Sequence, residues 1–289
     1  MNSVVLKSLM LGVLLCCAQA GAQAILIESG GAPLEQQKQV KPQKQSFELK
    51  SDMVVDKSYD SETIANRGSI DYLTRYKPNY FISGDPDTKI QFSFKYQLLR
   101  NYGLFFGYRQ LIFWELFERS RPIVEVNYNP EFFWRLPLED SVVQYFQIGF
   151  WGHDSNGLEG PVSRSYDKHY LQLNTRTALA STDFEWSGQL YTFSNFDPDS
   201  EEIREYLGYG EMTFGFVNFF GDFLEQSHFY LRLYTGASFG KGGRELGAKF
   251  RVFWGEFTPL FFVQYFDGYG ESQLRMTEYE RALRAGIAF

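Results

Sequence analysis

The chain has 289 residues, 44% of them hydrophobic and 18% aromatic, with a formal net charge of −7. The acidic balance argues against a general nucleic-acid binder. Both cysteines, Cys16 and Cys17, fall within the first apolar run, so beyond it neither disulfides nor thiol chemistry carries fold or mechanism.

Residues 1–24 read as a secretory signal peptide. Lys7 precedes an apolar run from Leu9 to Ala18, followed by the small-residue signals Ala18-Gln19-Ala20 and Ala22-Gln23-Ala24. Residues 25–68, with the Gln- and Lys-rich stretch QQKQVKPQKQ at 36–45, are expected to be a flexible periplasmic segment.

From residue 69 to 289 the pattern changes to a period of two. In KIQFSFKYQL (89–98), Ile90, Phe92, Phe94, Tyr96 and Leu98 oppose Lys89, Gln91, Ser93, Lys95 and Gln97. ELGAKFRV (245–252) alternates likewise, and the last segment sets Leu283, Ala285, Ile287 and Phe289 against Arg281 and Arg284. Segments of about ten residues, apolar on one face and charged on the other, are the pattern of membrane β-strands. In lipid such strands must close so that every backbone group is paired. A soluble sandwich also alternates, but charged residues on the polar face of so many strands favour a polar lumen. The expectation is all-β: a transmembrane antiparallel up-and-down barrel of about 12 strands. Strand centres fall near residues 80, 94, 107, 131, 148, 172, 189, 212, 232, 248, 263 and 285.

With an even count and periplasmic termini, odd strands run outward, and GHDSNG (152–157) falls at the cell-exterior end of the fifth. His153 and Ser155 stand two apart, so they share a face, as a base and a nucleophile would. The same residues also make an ordinary turn. Phe146, Ile148 and Phe150 have parity opposite to His153, so either a bulge intervenes or apolar residues fill the lumen there.

The run HDSNG-LEGPVSRSYDKHY (153–170) resembles the core motif of the outer membrane phospholipase A family. Asn127-Tyr128-Asn129-Pro130, Tyr206-Leu207-Gly208-Tyr209 and Gly268-Tyr269-Gly270-Glu271-Ser272 follow the family order, so the resemblance spans roughly residues 72–289. It implies a twelve-stranded barrel with its active site on the lipid-facing surface. The implied enzyme is a calcium-dependent phospholipase A1/A2, active as a homodimer. Its substrates would be ester bonds of phospholipids and lysophospholipids in the outer leaflet of the bacterial outer membrane. The alternative is a non-catalytic barrel, such as a passive pore.

By position the resemblance makes Ser155 the nucleophile, His153 the base and the Gly157 backbone N–H an oxyanion donor. The third catalytic position, asparagine in the well-known members, is Asp167 here. An aspartate can orient the imidazole, but its charge beside lipid needs partners. Calcium ligands map to the Leu158 carbonyl, the Ser163 hydroxyl and Ser120 of a second subunit. Glu159 and Asp199 are nearby acids, more simply read as solvated loop charges. Gln110 lies in an otherwise apolar stripe, Leu104, Phe106, Tyr108, Ile112 and Trp114, and its family counterpart bonds across the dimer. An inward Gln110 after a register shift is the other reading. His169 shares the face of Asp167 and reads as an interfacial strand residue.

Overall fold

Period-two alternation becomes a closed wall in the computed structural model. It describes residues 73–99, 102–138, 142–179, 182–197, 200, 202–220, 227–251 and 259–289. The expected signal peptide (1–24) and flexible segment (25–68) lie outside the described residues.

Among the described residues twelve strands make the barrel wall, antiparallel in chain order: β1 (Tyr80–Asp85), β2 (Thr88–Leu99), β3 (Leu104–Trp114), β4 (Ile123–Pro137), β5 (Val143–Ser155) and β6 (Ser165–Leu179) form one half. β7 (Thr182–Ser194), β8 (Gly210–Val217), β9 (His228–Thr235), β10 (Gly242–Arg251), β11 (Leu260–Gly268) and β12 (Glu280–Ala288) form the other. Each pairs with the next, and β12 returns to β1, for example Ala285 opposite Ser83. Leu73–Thr74 extends the short first strand by pairing with Tyr96 and Lys95 of β2. Each expected strand centre lies within one of these strands.

Closure sends one side-chain set inward. On β2, Lys89, Gln91, Ser93 and Lys95 are buried while Phe92 and Phe94 are exposed. Buried charge requires partners, and the lumen supplies them. Lys89 Nζ lies 2.9 Å from Glu271, and Arg284 bonds Glu271 at 2.8 Å and Asp87 at 2.6 Å. The lumen is not wholly polar. Tyr80, Ile82, Leu111, Phe113, Leu260 and Phe262 form one inner apolar cluster.

The connections after β1, β3, β5, β7, β9 and β11 gather at one end of the barrel. The β11–β12 connection, carrying the GYGES motif, folds into that mouth, where Ser272 donates to Glu125 and Arg275 pairs with Asp87. Burial alone would raise the Glu271 carboxyl, but Lys89 and Arg284 outweigh it and hold it below its ordinary range. A second short element, α1 (Ile203–Leu207), caps the same end, with Tyr206 and Tyr269 ring centroids 5.4 Å apart.

The parity conflict on β5 resolves as a bulge. Its pairing with β6 shifts between Gly149 and Gly152, and its pairing with β4 shifts between Phe132 and Phe133. Tyr145, Gln147 and Gly149 point inward before the shift, and Gly152 and Asp154 after it. The extra residue turns His153 and Ser155 to the same outer side as Phe146 and Ile148. Gly149 makes room for Tyr170, whose ring carbon would lie 2.1 Å from a Cβ at that position. Tyr170 in turn donates to Glu131 at 2.6 Å and accepts from Gln147.

Candidate active site

The bulge puts His153 in register with Asp167, on the neighbouring strand and the same outer face. His153 Nδ1 is 2.8 Å from Asp167 Oδ1. The Asp167 side chain is only 8% exposed, against 38% for His153. It is therefore shielded beneath the imidazole rather than left bare to lipid. Its second oxygen accepts a 2.5 Å bond from Asn195 Nδ2. Asn195 follows β7 with a left-handed φ of 49°, a conformation asparagine tolerates. Trp151 stacks on the imidazole with ring planes 11° apart and centroids separated by 6.2 Å.

Ser155 shares the outer face of His153, and its Oγ accepts the Gly157 N–H at 3.2 Å. Among the described residues no hydrogen bond joins Ser155 Oγ to the imidazole. Catalytic bonds of this kind are often long before substrate arrives. Gly157 has φ 65°, and a Cβ there would sit 2.8 Å from the Tyr128 ring. Both conformation and packing therefore demand glycine. The intervening residues face elsewhere. Asp154 points into the lumen to Asn129 and Arg109. Asn156 is buried, accepts from Leu158 N and Arg164 N, and donates to Val162 O, which pins the following loop.

That loop carries two of the expected calcium ligands, Leu158 and Ser163. Ser163 Oγ donates to Asp197 Oδ2 at 2.5 Å, an acid that sequence reading passed over in favour of Glu159 and Asp199. Asp199 lies outside the described residues. Carbonyl, hydroxyl and carboxylate oxygens form a donor set suited to a hard cation. Ser120 is exposed on the β3–β4 turn, at the same end of the barrel. Gln110 faces outward, in register with Phe92 and Tyr128.

Sequence reasoning missed Asn195, the stacking of Trp151 on His153, and Asp197. The first and last sit in SNFD, just past the end of β7, a polar cluster that reads as an ordinary turn.

Phospholipase A1 of Escherichia coli strain K12 is 28% identical over 200 residues, covering 64% of this chain and 63% of the relative. The chain thus spans rather less than two thirds of that relative's length. An active-site asparagine-to-alanine variant of outer membrane phospholipase A from Escherichia coli superposes with a TM-score of 0.64 at 21% identity, covering 81% of this chain and 98% of that one. A Salmonella typhi outer membrane phospholipase, a dimer with bound calcium, gives a TM-score of 0.65 at 21% identity, covering 79% and 96%. At such identities these structures establish a shared fold. Residues 34–289 match the family model for phospholipase A1. With nearly the whole chain matched and a closed twelve-stranded barrel bearing the motif on its outer wall, the protein belongs to the outer membrane phospholipase A family and is a bacterial outer-membrane barrel.

Proposed function

We propose that this protein is a calcium-dependent serine hydrolase that cleaves acyl esters of phospholipids and lysophospholipids in the outer leaflet, acting as a homodimer. The observation that carries the reading is the His153–Asp167 contact of 2.8 Å beside Ser155, on the outer wall of the barrel. A Ser–His–acid set there meets lipid esters from the side, where a lumenal site would meet water.

In this reading Asp167 accepts a hydrogen bond from Nδ1–H and fixes the tautomer, leaving Nε2 free to accept the proton of Ser155. Ser155 Oγ attacks the ester carbonyl, and the Gly157 N–H donates to the developing oxyanion. Protonated His153 then gives its proton to the departing alcohol. A water activated by the same imidazole releases the fatty acid. Leu158 O, Ser163 Oγ and Asp197 would hold calcium together with Ser120 of the partner subunit; when bound, the ion would supply positive charge to favour the negatively charged transition state. Asn195 shares the charge of Asp167, which makes an aspartate tolerable where relatives use an uncharged amide. Residues 1–24 act as the export signal and 25–68 as a periplasmic segment; the mass of the mature N-terminus tests this.

A passive pore fits less well with a lumen crossed by Lys89, Glu271 and Arg284. The test is fatty-acid release from phospholipid–detergent micelles by the purified chain, with calcium or chelator, alongside Ser155→Ala. Calcium-dependent release lost in the variant supports the reading. Release unaffected by Ser155→Ala overturns it.

A further inference from the structure

His169 stands two residues beyond Asp167 on β6 and shares its outer face. An ionisable side chain facing lipid is costly unless its polar atoms are engaged, and both ring nitrogens are. Nδ1 lies 2.8 Å from the carbonyl oxygen of Phe150, and Nε2 lies 2.9 Å from Ser194 Oγ. A carbonyl only accepts, so Nδ1 carries the proton, and in the neutral ring Nε2 accepts from the Ser194 hydroxyl.

The two partners are informative. Phe150 lies within the β5 bulge, where the ladder to β6 skips from Gly149 to Gly152. A carbonyl that leaves its ladder beside lipid needs another donor. Ser194 is the register partner of Asp167 on β7, and the next residue, Asn195, bonds Asp167 Oδ2. One imidazole therefore joins the bulge that turns His153 outward to the strand end that holds the aspartate. We propose that His169 is a positioning residue of the acyl-transfer site: it locks the β5 bulge and the end of β7 in the register that aligns His153 with Asp167 and Ser155. The inference rests on the function proposed above. The same contacts resemble a serine–histidine dyad, so a second nucleophile at Ser194 is the outcome to be distinguished.

The test uses the full chain in detergent with His169→Leu, His169→Gln and His169→Asn. The asparagine amide reaches the Nδ1 position and keeps a donor for Phe150 O; leucine and glutamine do not. The readouts are the rate of fluorophosphonate labelling mapped to individual serines, kcat and KM on dispersed phospholipid, and heat-modifiable mobility of the barrel. Leucine and glutamine are expected to lower kcat and the Ser155 labelling rate by about ten-fold or more, as loss of alignment does. KM should stay within about two-fold, mobility should not change, and asparagine should restore most of the rate. Should the leucine variant fail to assemble, glutamine against asparagine makes the same comparison. Equal Ser155 labelling in wild type, glutamine and asparagine variants overturns the inference, as does label on Ser194. A wild type that takes no label at Ser155 instead overturns the proposed function, and the inference with it.

Discussion

Gln110 and Ser155 flank one residue: Tyr128 pairs with Gln110 of β3 on one side and with Ser155 of β5 on the other. The proposed nucleophile and the outward amide therefore sit at the same height on the wall. Two inter-strand spacings, roughly 10 Å, separate them. A second barrel docked against Gln110 would reach the reacting serine and present its own copy of the same patch. Because ligands from both chains would hold the metal, calcium should tighten the dimer. Sedimentation in detergent should show more dimer with calcium than with chelator, and Gln110→Leu should weaken it by about 1 kcal/mol. A fully active monomer in calcium would contradict the shared site.

Asp167→Asn should retain activity within about ten-fold, because Asn195 can flip its amide to accept from the new side chain while Oδ1 still faces His153. Asp167→Ala removes the acceptor for Nδ1 and should cost about 100-fold or more in kcat. Steady-state kinetics on micellar phospholipid checks the order. Alanine as active as wild type would mean another group orients the imidazole.

Asn195→Ala strips Asp167 of one donor and leaves a shielded carboxylate oxygen short of a bond. A loss of about 1–3 kcal/mol is expected, read as a lower melting temperature together with lower kcat. The double variant with Asp167→Asn should lose less than the sum of the singles, since the two residues share one hydrogen bond.

Gly157→Ala should lower kcat by about 100-fold with little change in KM. The new Cβ meets Tyr128 in a left-handed backbone, so the N–H turns away from the oxyanion. Kinetics on a monomeric short-chain ester separates this from effects on lipid binding.

The barrel was legible because a period of two, repeated over ten-residue segments, has few other solutions. Lys89, Gln91, Ser93 and Lys95 alone identify a polar interior. The β5 bulge was visible only as a contradiction in parity. Gly149 and Gly152 mark it, but their reason is Tyr170 and Glu131 on the neighbouring strands β6 and β4, which no local window contains. Asn195 and Asp197 escaped for the same cause. They belong to the site only after β7 is paired with β6, some thirty residues of chain away.

Acid should loosen the mouth of the barrel. The Glu271 carboxyl is held low in the folded state, so its contribution is present above its unfolded value of about 4.3 and is lost as pH falls through the folded one. Melting temperature should drop below about pH 4. Glu271→Gln should cost about 3–5 kcal/mol at neutral pH, since Lys89 and Arg284 lose a shared counter-charge. Its melting temperature should also vary less with acid than that of wild type.

Peptide mapping after treatment with a fluorophosphonate tests the central claim most directly, because the reagent reacts with an activated serine and needs no lipid. With calcium present, the label should sit on Ser155, vanish in Ser155→Ala and slow strongly in His153→Ala. Label absent from Ser155, or unchanged when His153 is removed, would contradict a Ser155–His153–Asp167 site on the outer wall.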